Sequence, residues 1–344
     1  MKDPVKAVIF GIGMMGKLSA KYMAEKGVEI IGAYNRSSYL GESLASIADL
    51  DQDCDVSISP IEEANNKLHE ADIALITAVS DLESLYPLAR ECLNAGVDVI
   101  TLSEEAFFPP DDASDIRSAL DQLAKENGRT IVSTGVQDLF WLNIPSILTG
   151  ASHSIANILG TSTVNLDVYG PVVVSQFPIG LPPEQFDACP ASEHSEGPLP
   201  IFGIALEALV ANLGLTVSSR TISYQPIVDD VPVESRSLDT VISPGLITGL
   251  LEVYEIKTME DIDCRVEFHQ RIFGEGETEN ISWHIKGTPE LDVSFDPFMG
   301  GDITCTTLVN RIPDVINAAP GFLIASDLAP IKYRSKSLHH YVKP

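Results

Sequence analysis

The sequence predicts a doubly wound α/β domain with a second, α+β domain behind it. Three observations carry this. The apolar run Val5-Lys6-Ala7-Val8-Ile9-Phe10 meets Gly11, Gly13 and Gly16 in G-x-G-x-x-G spacing, and a helical pattern follows at once. Strand-like apolar runs then alternate with helical stretches as far as Gly135. Past Gly135 the alternation gives way to long strand patterns.

Each element follows from the residues. Gly11 permits a tight strand-to-helix turn, Gly13 lets a pyrophosphate approach the backbone, and Gly16 lets helix and strand pack closely. The first N–H groups of the helix and its positive dipole end face the phosphates. The expected contacts are Gly11, Ile12, Gly13, Met14, Met15 and Gly16. The helix runs over 14–26 and stops at Gly27; a second strand over 28–34 ends at Asn35-Arg36-Ser37-Ser38. NAD sites place an acid here for the ribose 2′-hydroxyl, and this chain has none. Asn35 and Ser37 offer hydrogen bonds, and Arg36 can pair with a 2′-phosphate. NADP is therefore the expected cofactor, with NAD as the other option. The plainer reading of Arg36 is a solvated loop charge.

A short helix over 41–50, a strand over 55–59 and a helix over 60–70 come next. The run 72–78 is almost wholly apolar, as a parallel strand covered on both faces should be. Ala78 and Ser80 follow it, and would sit over a cofactor at the carboxyl edge of the sheet. A helix over 82–95, a strand over 97–102, a helix over 110–126 and a strand over 130–133 complete a Rossmann-type sheet with right-handed crossovers. A helix over 305–318 is expected to return to it. The first domain is thus 1–136 plus 305–344, and 137–304 is a substrate and dimerisation domain. That second domain should hold a mainly antiparallel or mixed sheet, with strands over 162–169, 216–225, 250–257, 262–273, 278–286 and 291–295. Helices are expected over 138–148 and 201–213, and 170–200 reads as a long loop. The tail from Lys332 should pack on a partner subunit or fray.

Composition removes several functions. The net charge of −27 disfavours nucleic acid and anionic membranes as partners. No apolar run approaches the ~20 residues that span a bilayer. Met1-Lys2-Asp3-Pro4 leads directly into the first strand without a secretory pattern, so a cytoplasmic location is expected. The five cysteines, Cys54, Cys92, Cys189, Cys264 and Cys305, are scattered singly, which speaks for a reducing compartment and against a structural metal. No G-x-S-x-G elbow and no Walker motif appears.

Ser103-Glu104-Glu105 follows a parallel strand at the edge where open α/β sheets bind ligands. A carboxyl there can move a proton while hydride moves at a nicotinamide. The competing reading is a capping box, with Ser103 before a helix and the acids complementing its dipole. Ser103 is also placed at the cofactor. Phe140 and Trp141 can wall an apolar substrate pocket or simply fill the core. Tyr169 and His194 can reach a substrate, or be a satisfied tyrosine and a surface histidine.

The G-I-G-M-M-G of 11–16, the S-E-E of 103–105 and the stretch Asn310-Arg311-Ile312-Pro313 to Ala318-Ala319-Pro320-Gly321 together resemble one family. It comprises the 2,4-diaminopentanoate dehydrogenases and the native amine dehydrogenases, whose Rossmann domain is of the dihydrodipicolinate-reductase type. The resemblance implies reversible reductive amination, in which a ketone or aldehyde, ammonia and NAD(P)H give a primary amine. It implies that Glu104 is the catalytic carboxylate, with Glu105 in reserve. It matches the family's pocket residues to Phe140, Trp141, Tyr169 and His194, and it implies a homodimer. Asp138 is the only charge in 135–143, which favours small apolar substrates over diaminopentanoate. Another NAD(P)H carbonyl oxidoreductase and a non-catalytic NADP sensor are the alternatives.

Overall fold

A computed structural model describes residues 3–50, 54–110, 113–188 and 200–343. The chain forms two compact units, Met1–Asn143 with Gly300–Pro344, and Ile144–Met299.

The first unit is built on a seven-stranded parallel sheet. Its strands are β1 (Lys6–Phe10), β2 (Glu29–Asn35), β3 (Ile58–Pro60), β4 (Ile73–Ile76), β5 (Asp98–Thr101), β6 (Thr130–Ser133) and a late strand, Gly321–Leu323. From one edge they run Gly321–Leu323, β6, β5, β4, β1, β2, β3. Every residue of β4, β5 and β6 is buried, as expected for parallel strands covered on both faces. Alternation along β1 divides the apolar interior in two. Ala7 and Ile9 join a core with Ala20 and Met23 of the Met14–Glu25 helix and Leu308 and Ile312 of the Gly300–Ile316 helix. Val8 and Phe10 join a second core with Leu85 and Leu93 of the Leu82–Asn94 helix and Leu120 of the Ser114–Asn127 helix. A sheet with helices on both faces is the doubly wound arrangement.

The strand Gly321–Leu323 was not foreseen. Three residues are too few to show a period, and their structure comes from parallel pairing with Thr130–Val132. The boundaries also differ from 136/137 and 304/305: the units divide after Asn143 and before Gly300. In place of one helix over 138–148 there is a π-helical turn, Gln137–Asn143, followed by Ile144–Thr149. The turn stays with the first unit because Asp138 is held there. Asp138 and Arg311 are both fully buried and form a two-pronged ion pair, Nε to Oδ2 at 2.9 Å and Nη2 to Oδ1 at 2.7 Å. Thr134 and Asn143 donate to the same carboxylate at 2.7 Å each, and Arg311 also donates to the Ala329 carbonyl at 2.6 Å.

The tail does not fray: it packs on its own unit. Leu338 lies in the first core, and its N–H donates to the Lys26 carbonyl at 2.9 Å. Arg334 pairs with Asp314 at 2.6 Å, and Asn317 donates to the Tyr341 carbonyl at 2.8 Å.

The second unit holds β7 (Ser154–Asn165), β8 (Val217–Val228), β9 (Val233–Ser235), β10 (Thr240–Ile242), β11 (Ile247–Thr258), β12 (Asp263–Arg271), β13 (Asn280–Thr288) and β14 (Leu291–Phe295). Six of them form a mixed sheet in the order β14-β13-β7-β12-β11-β8, with β7 and β12 parallel and the other neighbours antiparallel. The Ile201–Asn212 helix is fixed to it through buried Glu207, which accepts from Arg220 at 3.0 Å and from the Tyr254 hydroxyl at 2.7 Å. The strand expected over 162–169 begins at Ser154 and ends at Asn165. Of its first residues Ser154 and Ala156 are exposed and Ile155 and Asn157 half-buried, and the Asn165 side chain accepts the Asp167 N–H and turns the chain into a 3₁₀ turn, Leu166–Tyr169. The long loop expected over 170–200 contains a short helix, Pro171–Val174, and a 3₁₀ turn, Pro183–Ala188.

Arg311→Ala leaves the Asp138 carboxylate buried without its cation. Urea unfolding should show a loss of about 3–5 kcal/mol, and Asp138→Leu combined with Arg311→Met should recover much of it.

Candidate functional site

The turn after β1 needs each of its glycines for a different reason. Gly11 has φ +97°, and a Cβ there would lie 2.8 Å from the Ala78 Cα. A Cβ on Gly16 would lie 1.9 Å from the Gly11 carbonyl oxygen. A Cβ on Gly13 would meet nothing within 4 Å, so Gly13 borders open space. The first bond of the following helix runs from the Lys17 N–H to the Gly13 carbonyl at 3.0 Å. The N–H groups of Met14, Met15 and Gly16 therefore lack acceptors within the helix. Open space, free donors and a helix N-terminus suit a dinucleotide pyrophosphate. Met14 is exposed, whereas the Ile12 side chain is fully buried in the core and leaves its backbone alone to face a ligand. Met15 is half-buried, with its carbonyl 3.5 Å from the Cys305 thiol.

At the end of β2, Arg36 and Ser37 are exposed, and Asn35 donates to the Ser38 carbonyl at 3.1 Å. Asp81 caps the Leu82–Asn94 helix by accepting the Ser84 N–H at 2.7 Å. That bond chiefly holds its pKa below the usual carboxylate range, and the Arg36 charge adds to the effect.

The three residues after β5 divide their work. Ser103 is fully buried and does not cap the Glu104–Phe107 helix. Its hydroxyl donates to the Ser80 carbonyl at 2.7 Å, so the capping-box reading fails and the serine braces the rim. Glu105 accepts the Leu82 N–H at 2.9 Å and donates its own N–H to the Ser80 carbonyl at 3.3 Å. Glu104 keeps a buried carboxylate oxygen, Oε2, with no hydrogen-bond partner. Burial pushes the Glu104 pKa up, and the neighbouring Glu105 charge adds to the rise. The residue's own N–H and the Ser80 side chain act in the opposite direction. A carboxyl of that kind holds its proton to higher pH than a surface one and so can serve as acid as well as base.

Phe140 and Trp141 sit in the π-helical turn of the first unit, and Trp141 is fully buried. Tyr169 belongs to the second unit and is 46% exposed at the end of its 3₁₀ turn, not at the end of a strand. His194 lies outside the described residues. Among the described residues, no cluster of three or more His, Cys, Asp or Glu side chains could hold a metal ion, and no helix is long and apolar enough to cross a membrane.

The sequence reading missed the hydroxyls that join the strand ends. Thr77 donates to the Gly11 carbonyl at 2.7 Å, Thr101 to the Ile76 carbonyl at 2.8 Å, and Ser133 to the Ser103 carbonyl at 2.6 Å. The signal was available: a Ser or Thr stands at or just past the end of β4, β5 and β6.

The chain was compared with known proteins. Residues 2–90 match the family model for shikimate/quinate 5-dehydrogenase. The chain is 27% identical to the 2,4-diaminopentanoate dehydrogenase of Acetoanaerobium sticklandii over 95% of its own length and 94% of that protein. It is 33% identical to the amine dehydrogenase from Mycobacterium smegmatis, whose solved structure matches with a TM-score of 0.84 over 96% of this chain and 98% of that one. The myo-inositol 2-dehydrogenase from Lactobacillus plantarum, at 13% identity and a TM-score of 0.56 over 91% of this chain and 88% of that one, shares the fold alone. Residues 142–342, more than half of the chain, match the model of the 2,4-diaminopentanoate dehydrogenase C-terminal domain, and the chain belongs to that family.

Proposed function

We propose that this chain is an NAD(P)-dependent amine dehydrogenase that interconverts a small ketone or aldehyde and ammonia with a primary amine. The observation that carries the proposal is Glu104, a carboxyl with a buried, unpartnered oxygen and a raised pKa, on the same sheet edge as an open glycine cradle. The likeness to the mycobacterial amine dehydrogenase over nearly the whole chain supports it.

In this reading the first unit holds the dinucleotide and the second serves the substrate. The N–H groups of Met14, Met15 and Gly16 hold the pyrophosphate, and Ala78 and Ser80 flank it. The nicotinamide supplies hydride in amination and accepts it in the reverse direction. Glu104 does the proton work. In amination it takes a proton from ammonium and gives it to the carbonyl oxygen as ammonia attacks, then takes a second from the added nitrogen and gives it to the departing hydroxyl, so that water leaves and an iminium forms. In the reverse direction it deprotonates the ammonium, freeing the lone pair that drives hydride loss.

Several finer points belong to the same proposal. NADP is preferred, because the end of β2 offers Asn35, Arg36 and Ser37 and no acid. Phe140, Trp141, Tyr169 and His194 are the substrate-contact candidates that the family resemblance suggests. The substrate is small and apolar: Asp138, the one charge in 135–143, is already committed to Arg311. The match to the 2,4-diaminopentanoate dehydrogenase domain favours a second reading, in which diaminopentanoate itself is the substrate. A homodimer is carried by the family resemblance, and a cytoplasmic location by the four described cysteines, all free thiols.

The deciding experiment is NADPH oxidation on a panel of small ketones and aldehydes, with and without ammonium, and with diaminopentanoate assayed in the reverse direction. Strict dependence on ammonium with a primary amine as product is expected. Oxidation without ammonium would move the protein to carbonyl reduction, and NADPH binding without turnover would point to a sensor.

Glu104→Ala should lower turnover by ~10²–10⁴-fold and leave cofactor affinity intact. Amine oxidation in the wild type requires the ionised carboxylate. Because burial raises its pKa, kcat/KM should fall with decreasing pH at a value above the ordinary carboxylate range, as a pH–rate profile would show. Arg36→Ala should raise KM for NADPH by about tenfold or more and leave KM for NADH nearly unchanged.

A further inference from the structure

Glu104 and Glu105 are adjacent, yet their carboxylates have different surroundings. Glu104 Oε2 is buried without a partner, while Glu105 Oε2 accepts the Leu82 N–H at 2.9 Å. Leu82 opens a 13-residue helix, and its N–H is one of the donors that such a helix leaves unsatisfied. The Ser80 carbonyl, two residues earlier, receives the Glu105 N–H at 3.3 Å and the Ser103 hydroxyl at 2.7 Å. Three hydrogen bonds from Ser103 and Glu105 thus pin the segment from Ser80 to Leu82. Ser103 is itself fixed, since its N–H donates to the Thr101 hydroxyl at 3.1 Å and its carbonyl accepts from Ser133 at 2.6 Å. Ser103 and Glu105 flank Glu104 in the chain, so the bonds they make to the Ser80 carbonyl hold Ser80 beside Glu104.

We infer that Glu105 is a positioning residue, whose carboxylate clamps the start of the Leu82–Asn94 helix and so fixes the Ser80–Leu82 segment beside Glu104. The inference rests on the reading of Glu104 as the catalytic carboxyl. It gives the acidic pair two unequal tasks, one group in the chemistry and one in the frame. The frame needs an acceptor, not a charge, because an amide oxygen can take the Leu82 N–H as a carboxylate does. The charge has a separate effect, since Glu105 is the charged neighbour that raises Glu104.

The test compares Glu105→Ala, Glu105→Gln, Ser103→Ala and Glu104→Gln by kcat and KM for amine oxidation across pH, with NADPH affinity measured by fluorescence. Glu105→Ala should lower kcat by ~10- to 100-fold, the cost of a small misplacement, and weaken NADPH binding by a smaller factor, because the released segment carries Ser80 beside the dinucleotide. Glu105→Gln should restore most of that turnover and move the acidic limb of its pH profile to lower pH. Ser103→Ala loosens Ser80 from the other side with both acids intact, and should lower kcat in the same sense. It decides the matter if Glu105→Ala fails to fold. Wild-type kcat in Glu105→Ala or Ser103→Ala, beside an inactive Glu104→Gln, overturns the inference alone. Equal loss in Glu105→Gln and Glu105→Ala also overturns it, since the charge itself would then be required. Wild-type turnover in Glu104→Gln overturns the reading of Glu104 and this inference with it.

Discussion

The first unit depends on an ion pair that water never reaches. Burying Asp138 and Arg311 costs each its hydration, and only a geometry with every donor and acceptor satisfied offsets that cost. Here the carboxylate accepts two bonds from the guanidinium and one each from Thr134 and Asn143. The pair joins the turn just past β6 to the Gly300–Ile316 helix. That helix in turn backs the Met14–Glu25 helix, through Cys305 beside Met15 and the Tyr22 hydroxyl bonded to Asp302. The glycine turn therefore takes its support from a segment near the other end of the chain. A satisfied buried pair has few alternative geometries, and its contribution here is one defined docking of that segment more than added stability.

The carboxyl edge of the sheet shows the same economy of polar groups. Parallel strands end there with carbonyls pointing outward, and each must find a donor. Thr77, Thr101, Ser103 and Ser133 supply them from one strand to the next. With those carbonyls satisfied by short side chains, long ones are free for a ligand. Glu104 stands out because its oxygen is the group at this edge that the lattice of hydroxyls leaves without a donor.

The parts of the fold that were legible in the sequence were local. The glycine spacing, the unbroken apolar runs of β4 and β5 and the glycine stops each report on a few consecutive residues, and each led to the right element. Structure set by distant residues was not legible. Asp138 and Arg311 are separated by 173 positions, and nothing at either one announces the other. The strand Gly321–Leu323 exists because β6 offers it an edge. The start of β7 was misplaced because Ser154, Ala156, Asn157 and Gly160 interrupt its apolar run, and its strand structure comes from pairing with β12 and β13. The acidic pair was visible as a pair, but its division of labour depends on where the Leu82 N–H points.

The discontinuity of the first unit also governs its birth. Leu308, Val309, Ile312, Val315 and Leu338 belong to the same core as Ala7 and Ile9, and the last strand seals the β6 edge. A ribosome delivers the early part of that core before the remainder, with the whole second unit between them. The early segment therefore emerges with an open sheet edge and an unfilled apolar face, and it must stay soluble until the segments past the second unit arrive. Vectorial synthesis, which lets most domains close in the order they appear, here makes the first unit to emerge the last to close. Its surplus of acidic side chains gives the waiting chain like-charge repulsion against premature association.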